Sequence, residues 1–126
     1  MVAYSFKAQF AEPIEQRHKC QTIRADRKRH ARPGERVQLY VGMRTRQCRK
    51  IIPDPVCTEI QSVVIWVSRH HIMRIMVEGK DLTALNMEGF AQDDGFASLE
   101  EMHKFWLVNH GAINFKGIIV KWKDQP

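Results

Sequence analysis

The sequence predicts a single α+β domain, a curled and mostly antiparallel sheet with helices on its flanks. Three observations carry that prediction. Short β-rich stretches follow one another between Ala3 and Val77, separated by turn residues, a spacing that suits hairpin connections. One well-capped helical stretch, Ser98 to Asn109, stands late in the chain and is followed by a final strand. The length of 126 residues fits one domain, 1–126, able to bury a core without disulfide or metal staples.

Ala3 to Phe10 alternates as a strand should, with Tyr4, Phe6 and Phe10 as inward candidates. Ala11 to His18 reads as a short helical turn, in which Pro13 is tolerable because it lies near the start. Thr22-Ile23-Arg24 is a short strand. Arg32-Pro33-Gly34-Glu35 is a turn, Pro presetting one backbone angle and Gly supplying the positive φ of a type II turn. Val37 to Val41 is the next strand, Gly42 to Arg46 a polar loop, and Gln47 to Ile52 a further strand that Pro53-Asp54-Pro55 breaks.

Val56 to Val67 is the longest β-rich run; Ile72 to Val77 follows and Gly79-Lys80-Asp81 closes it. In the late helix Ser98 caps the first free amides, and Glu101 is placed to bond back in a capping box. Met102, Phe105 and Trp106 share its apolar face, and Gly111 ends it. Phe115 to Trp122 is the last strand. There is no internal repeat, linker or low-complexity segment.

Hydrophobic residues at 44% and charged residues at 27% exclude a disordered chain. The first ten residues lack the apolar core of a signal peptide, and no apolar run approaches the ~18 residues of a membrane span. The expectation is a soluble, cytoplasmic protein with no membrane partner. Cys20, Cys48 and Cys57 lack the paired spacing of zinc ligands and read as reduced thiols. His70 and His71 are adjacent, so on a strand they point to opposite faces. No metal and no cofactor are expected.

The charge is uneven. The whole chain carries +6, yet residues 17–50 hold twelve Lys or Arg against two acids, Asp26 and Glu35, a local +10. The bland account is a solvated face. The functional one is a field that attracts polyanions, with Arg24, Arg27, Lys28, Arg29 and Arg32 as candidate nucleic-acid contacts. Arg24 alternates with Thr22 on one strand face, where its planar fork can meet phosphate or carboxylate; a salt bridge to Asp94 or Asp26 is the competing use.

Lys19-Cys20-Gln21-Thr22-Ile23-Arg24 followed by Arg32-Pro33-Gly34-Glu35 resembles the signature of the ASCH-domain family. Asp94-Gly95-Phe96 ahead of the Ser98 helix, with Trp106 near its end, is similar to that family's second block. The resemblance spans nearly the whole chain. It implies a PUA-like, mostly antiparallel β-barrel with flanking helices and a cleft suited to RNA or a nucleotide. One bacterial branch hydrolyses N4-acetylcytidine and other members have been described as ribonucleases. The amidohydrolase residues, a Lys and a Thr from the first block and an acid from the second, fall on Lys19, Thr22 and Asp94; the last is one methylene shorter than the family's Glu.

In that chemistry Lys19, neutral through burial and neighbouring arginines, would take the proton of the Thr22 hydroxyl, and Asp94 would protonate the leaving amine. The structural alternative makes Thr22 an ordinary β-branched strand residue, Lys19 a solvated loop cation and Asp94 a turn residue opening the helix. The expected partner is RNA or a modified nucleoside. A protein-interaction role is the third class, and neither the specific ligand nor the oligomeric state is written in the sequence.

Overall fold

A computed structural model describes residues 1–125. The chain runs β1 (Val2–Phe6), a 3₁₀ turn (Ala8–Phe10), α1 (Ala11–Glu15), β2 (Gln21–Ala25), β3 (Val37–Val41), β4 (Arg49–Lys50), β5 (Val56–Val67), β6 (Ile72–Val77), β7 (Lys80–Asp81), α2 (Ala84–Asp93), α3 (Leu99–His110) and β8 (Asn114–Lys123). The fold is α+β. Its strands form two sheets, ordered β1-β3-β4 and β2-β8-β5-β6-β7.

The larger sheet is antiparallel throughout. The small sheet is not: β1 pairs with β3 in parallel, Val2 opposite Val37 and Phe6 opposite Val41. Parallel strands need a long crossover, and residues 7–36, passing through α1 and β2, supply it. The strand expected over Gln47 to Ile52 shrinks to Arg49–Lys50, which meets only Val41 and Tyr40. Ile51 and Ile52 are buried beyond it as core plugs. The helical turn expected to reach His18 stops at Glu15, and Arg17 takes a left-handed φ of 63°.

The sheets do not close into a barrel. On one side they are tied by backbone bonds: Gly34 N–H to Cys57 O (2.7 Å), Cys57 N–H to Glu35 O (2.8 Å) and Val37 N–H to Pro55 O (2.9 Å). On the other, edge strands β1 and β2 share no backbone ladder. There a side chain bridges the gap: Arg24 Nη2 donates to Ser5 O at 2.7 Å.

Val37, Leu39, Val63, Ile65, Ile75, Ile119 and Val120 are buried core residues, Ile119 and Val120 on opposite faces of β8. Helix α3 lays Met102 and Trp106 on it, both buried, with Phe105 partly so. Ser98 Oγ accepts from Glu101 N–H, the first half of the expected capping box. Another of the free amides, Leu99 N–H, donates to Glu88 Oε1 of α2 at 2.8 Å, so the two helices are joined at this cap. Among the described residues no helix is long and apolar enough to cross a membrane.

Candidate ligand cavity at the open seam

The seam between β1 and β2 opens into a cavity of about 390 Å³. Its walls carry Phe6, Phe10, Phe96, Phe105, Trp106 and Phe115, with Lys19, Arg24 and Asp94 as inner polar groups. Phe10, Phe96 and Phe105 form a ring cluster with centroids 5.3–5.4 Å apart. Trp106 packs edge-on to Phe115 at 4.9 Å.

Lys19 reaches this cavity because α1 ends sharply. His18 and Lys19 N–H both donate to Pro13 O, and Arg17 absorbs the reversal in the left-handed region, at a cost for an L-residue of about 1–2 kcal/mol. Asp94 follows the last turn of α2, and Gly95, at φ 95°, turns the chain so that Phe96 is buried. A Cβ at Gly95 would stand 2.7 Å from Lys19 Cδ, so glycine is what lets the lysine lie there.

Lys19 is buried, 3% exposed, and is therefore not the solvated loop cation of the structural alternative. Its Nζ donates to Asp94 O at 2.6 Å and to Asp94 Oδ1 at 3.2 Å, and lies 5.0 Å from the Phe10 ring centroid. Gln21 Nε2 donates to the same Oδ1 at 3.2 Å, and among the described residues no side chain donates to Oδ2. Burial pulls the Lys19 amine below its ordinary value, against the pull of Asp94. Burial likewise raises the Asp94 carboxyl, against Lys19. Each group is pushed toward its neutral form, the direction an acid–base pair needs.

Thr22 is placed differently. It is buried, it does not line the cavity, and its Oγ1 accepts from Arg24 Nε at 2.9 Å. Arg24 forms neither of the salt bridges considered for it. Between Thr22 Oγ1 and Ser5 O its guanidinium lies over Phe6 (4.9 Å) and Tyr4 (5.3 Å). Burial pulls its pKa down to about 10.

The other basic candidates lie outside the cavity, on the loop between β2 and β3. Arg27 lies over the Tyr4 ring at 4.6 Å and donates to Ala3 O. Arg29 pairs with Glu35, whose pKa falls to about 2 through that bond first and the Arg32 N–H second. Lys28 and Arg32 are exposed, with no carboxylate partner among the described residues. Arg17, Arg49 and Lys50 pair with Asp124, Glu15 and Asp54, so the +10 segment is partly neutralised by acids from outside it.

The structure thus brings Lys19, Asp94 and Arg24 to one cavity, with Thr22 attached through Arg24. Gln21, Lys7, Asn109, His110 and the aromatic walls were not legible as site residues. Gln21 stood inside the block from Lys19 to Arg24, which was its one available signal; Lys7 and His110 carried none. Among the described residues no three His, Cys, Asp or Glu side chains group to hold a metal. Compared with known proteins, the chain matches no protein-family model, no curated protein and no solved structure.

Proposed function

We propose that this chain is an ASCH-type, PUA-like domain whose open barrel seam binds one nucleobase-bearing ligand, a nucleotide alone or presented by RNA. The carrying observation is the cavity itself: about 390 Å³, walled by six aromatic rings, with Lys19, Arg24 and Asp94 as its inner polar groups. Such walls stack on the flat faces of a base, while a few polar groups fix its orientation. The exposed Arg27, Lys28 and Arg32 beside the seam would add diffuse, salt-sensitive attraction for a polyanion.

The test is a fluorescence titration that follows Trp106, compared with a Trp106→Phe control, using nucleosides, nucleotides and a short single-stranded RNA. Saturable binding that Arg24→Ala weakens by about 10-fold or more supports the reading, the loss expected of a charge-assisted contact. No saturation by any of the three at millimolar concentration and low salt overturns it.

The contact between Lys19 and Asp94 favours a second reading, hydrolysis of an acylated exocyclic amine such as that of N4-acetylcytidine. In this reading one proton first passes from Lys19 to Asp94 within their contact, after which the neutral Lys19 amine takes the Thr22 proton as Thr22 Oγ1 attacks the acyl carbon and the protonated Asp94 gives its proton to the departing amine. Water would then release the acyl group as carboxylate and return Thr22. Arg24 Nε donates to the Thr22 hydroxyl, so this reading requires the ligand to draw the guanidinium away. Mass analysis of N4-acetylcytidine incubated with the protein decides it: turnover absent from Thr22→Val supports it, and no turnover leaves binding alone.

A further inference from the structure

Four cationic or protonatable side chains line the cavity, Lys7, Lys19, Arg24 and His110, against one carboxylate, Asp94. Lys19 and Asp94 answer each other. Arg24 has no carboxylate within 4 Å, and its Nη1 makes no hydrogen bond among the described residues. Lys7 and His110 line the cavity and are exposed, and neither side chain has a hydrogen-bond or ion-pair partner among the described residues. Lys7 precedes the 3₁₀ turn after β1 and His110 ends α3, so two remote segments bring them to one lip.

The imidazole is held in place by Trp106, 4.7 Å away and tilted at 47°. Lys7 lines the same cavity as His110, and burial first, then the Lys7 charge, lower the His110 pKa. A purely structural role is available, since cations near a helix C-terminus oppose its dipole. That role wants His110 charged, and its surroundings push it the other way. The arrangement lacks a negative partner rather than a positive one.

We propose that Lys7 and His110 form a phosphate subsite at the mouth of the cavity, so that the ligand is a nucleotide and not a nucleoside. This rests on the nucleobase reading of the cavity above and adds the group that selects among such ligands. The base enters between the aromatic walls. The phosphate remains at the rim, where Lys7 supplies a flexible point charge and a His110 ring N–H a donor. The phosphate can be a free monoester or one link of an RNA chain.

The experiment measures the affinity of wild type, Lys7→Ala, His110→Gln and the double variant for cytidine, CMP and a cytidine-containing trinucleotide, by calorimetry at low salt. The expected result is that CMP binds at least about 10-fold tighter than cytidine, the factor of one charge-assisted contact, and that the ratio collapses toward one in the double variant. A trinucleotide that binds tighter than CMP identifies the source as a backbone phosphate; the reverse identifies a monoester. Cytidine bound as tightly as CMP by wild type overturns the subsite and leaves the base-binding reading standing. A CMP preference that survives the double variant also overturns it. Binding of no probe overturns both.

Discussion

Replacing Asp94 by Asn removes one charge from a buried pair and little else. Asn keeps an oxygen to accept from Lys19 and Gln21, and the 2.6 Å bond from Lys19 Nζ to the Asp94 carbonyl is untouched. What changes is that an ammonium with 3% of its surface exposed loses its counter-ion. Breaking a buried pair this way costs about 3–5 kcal/mol. Lys19 can escape by giving up its proton, which sets a ceiling. Holding it neutral costs about 1.36 kcal/mol for each pH unit below its ordinary value of 10.5, or about 5 kcal/mol at pH 7 and about 2 at pH 9.

The sign follows from proton binding. In the variant the folded Lys19 pKa lies further below the unfolded one, so between the two the unfolded chain holds more protons and stability rises with pH. Urea unfolding of both proteins from pH 6 to 9 should show a deficit of about 3–5 kcal/mol near neutrality that shrinks toward pH 9. A variant as stable as wild type at pH 7, with no pH dependence of the difference, would mean that no ion pair exists there and would refute the argument.

Two further substitutions test the supports of the cavity. Gly95→Ala combines a left-handed backbone with a Cβ 2.7 Å from Lys19 Cδ and 3.3 Å from Phe10, so a loss of about 2–4 kcal/mol in denaturant unfolding is expected; a loss under about 1 kcal/mol would show that the turn adapts freely. Trp106→Ala removes a ring with 4% of its surface exposed, packed against Phe115 and His110. It should cost about 3–5 kcal/mol, and a melting temperature within a degree or two of wild type would show that the face is not core.

How much of this was legible in the sequence depended on whether a local signal existed. β5 and β6 run as read, Val56–Val67 and Ile72–Val77, because their β-branched runs are long and bounded by turns. α3 begins where Ser98 caps it and ends at Gly111, since caps act locally. α2 escaped because it has almost no apolar stripe: Leu85 is 82% exposed, Gly89 sits mid-helix and only Ala91 is fully buried. Thr83, whose hydroxyl accepts from Asn86 N–H, was the one local mark of its start. The direction of β1 against β3 was not legible at all, since alternation encodes faces and not polarity.

The site sat between these cases. No spacing argument joins Lys19 to Asp94 across 75 residues; only the order of the two sequence blocks did. Arg24 was singled out for its fork, yet its partners, Thr22 Oγ1 and Ser5 O, depend on an edge-to-edge approach of two sheets that the sequence does not announce. That approach explains why the polar groups are here. Where the sheets join by backbone bonds, as at Gly34, Val37 and Cys57, the main chain supplies its own partners and no side chain is needed. Where β1 and β2 fail to pair, Ser5 O needs another donor, and a guanidinium long enough to span the gap supplies it. A side-chain strut, unlike a ladder, leaves room beside it and can swing aside. The open seam and the cavity beside it thus go with one missing strand pairing, and a ligand that displaced Arg24 from Thr22 would act on a join held by side chains rather than by a backbone ladder.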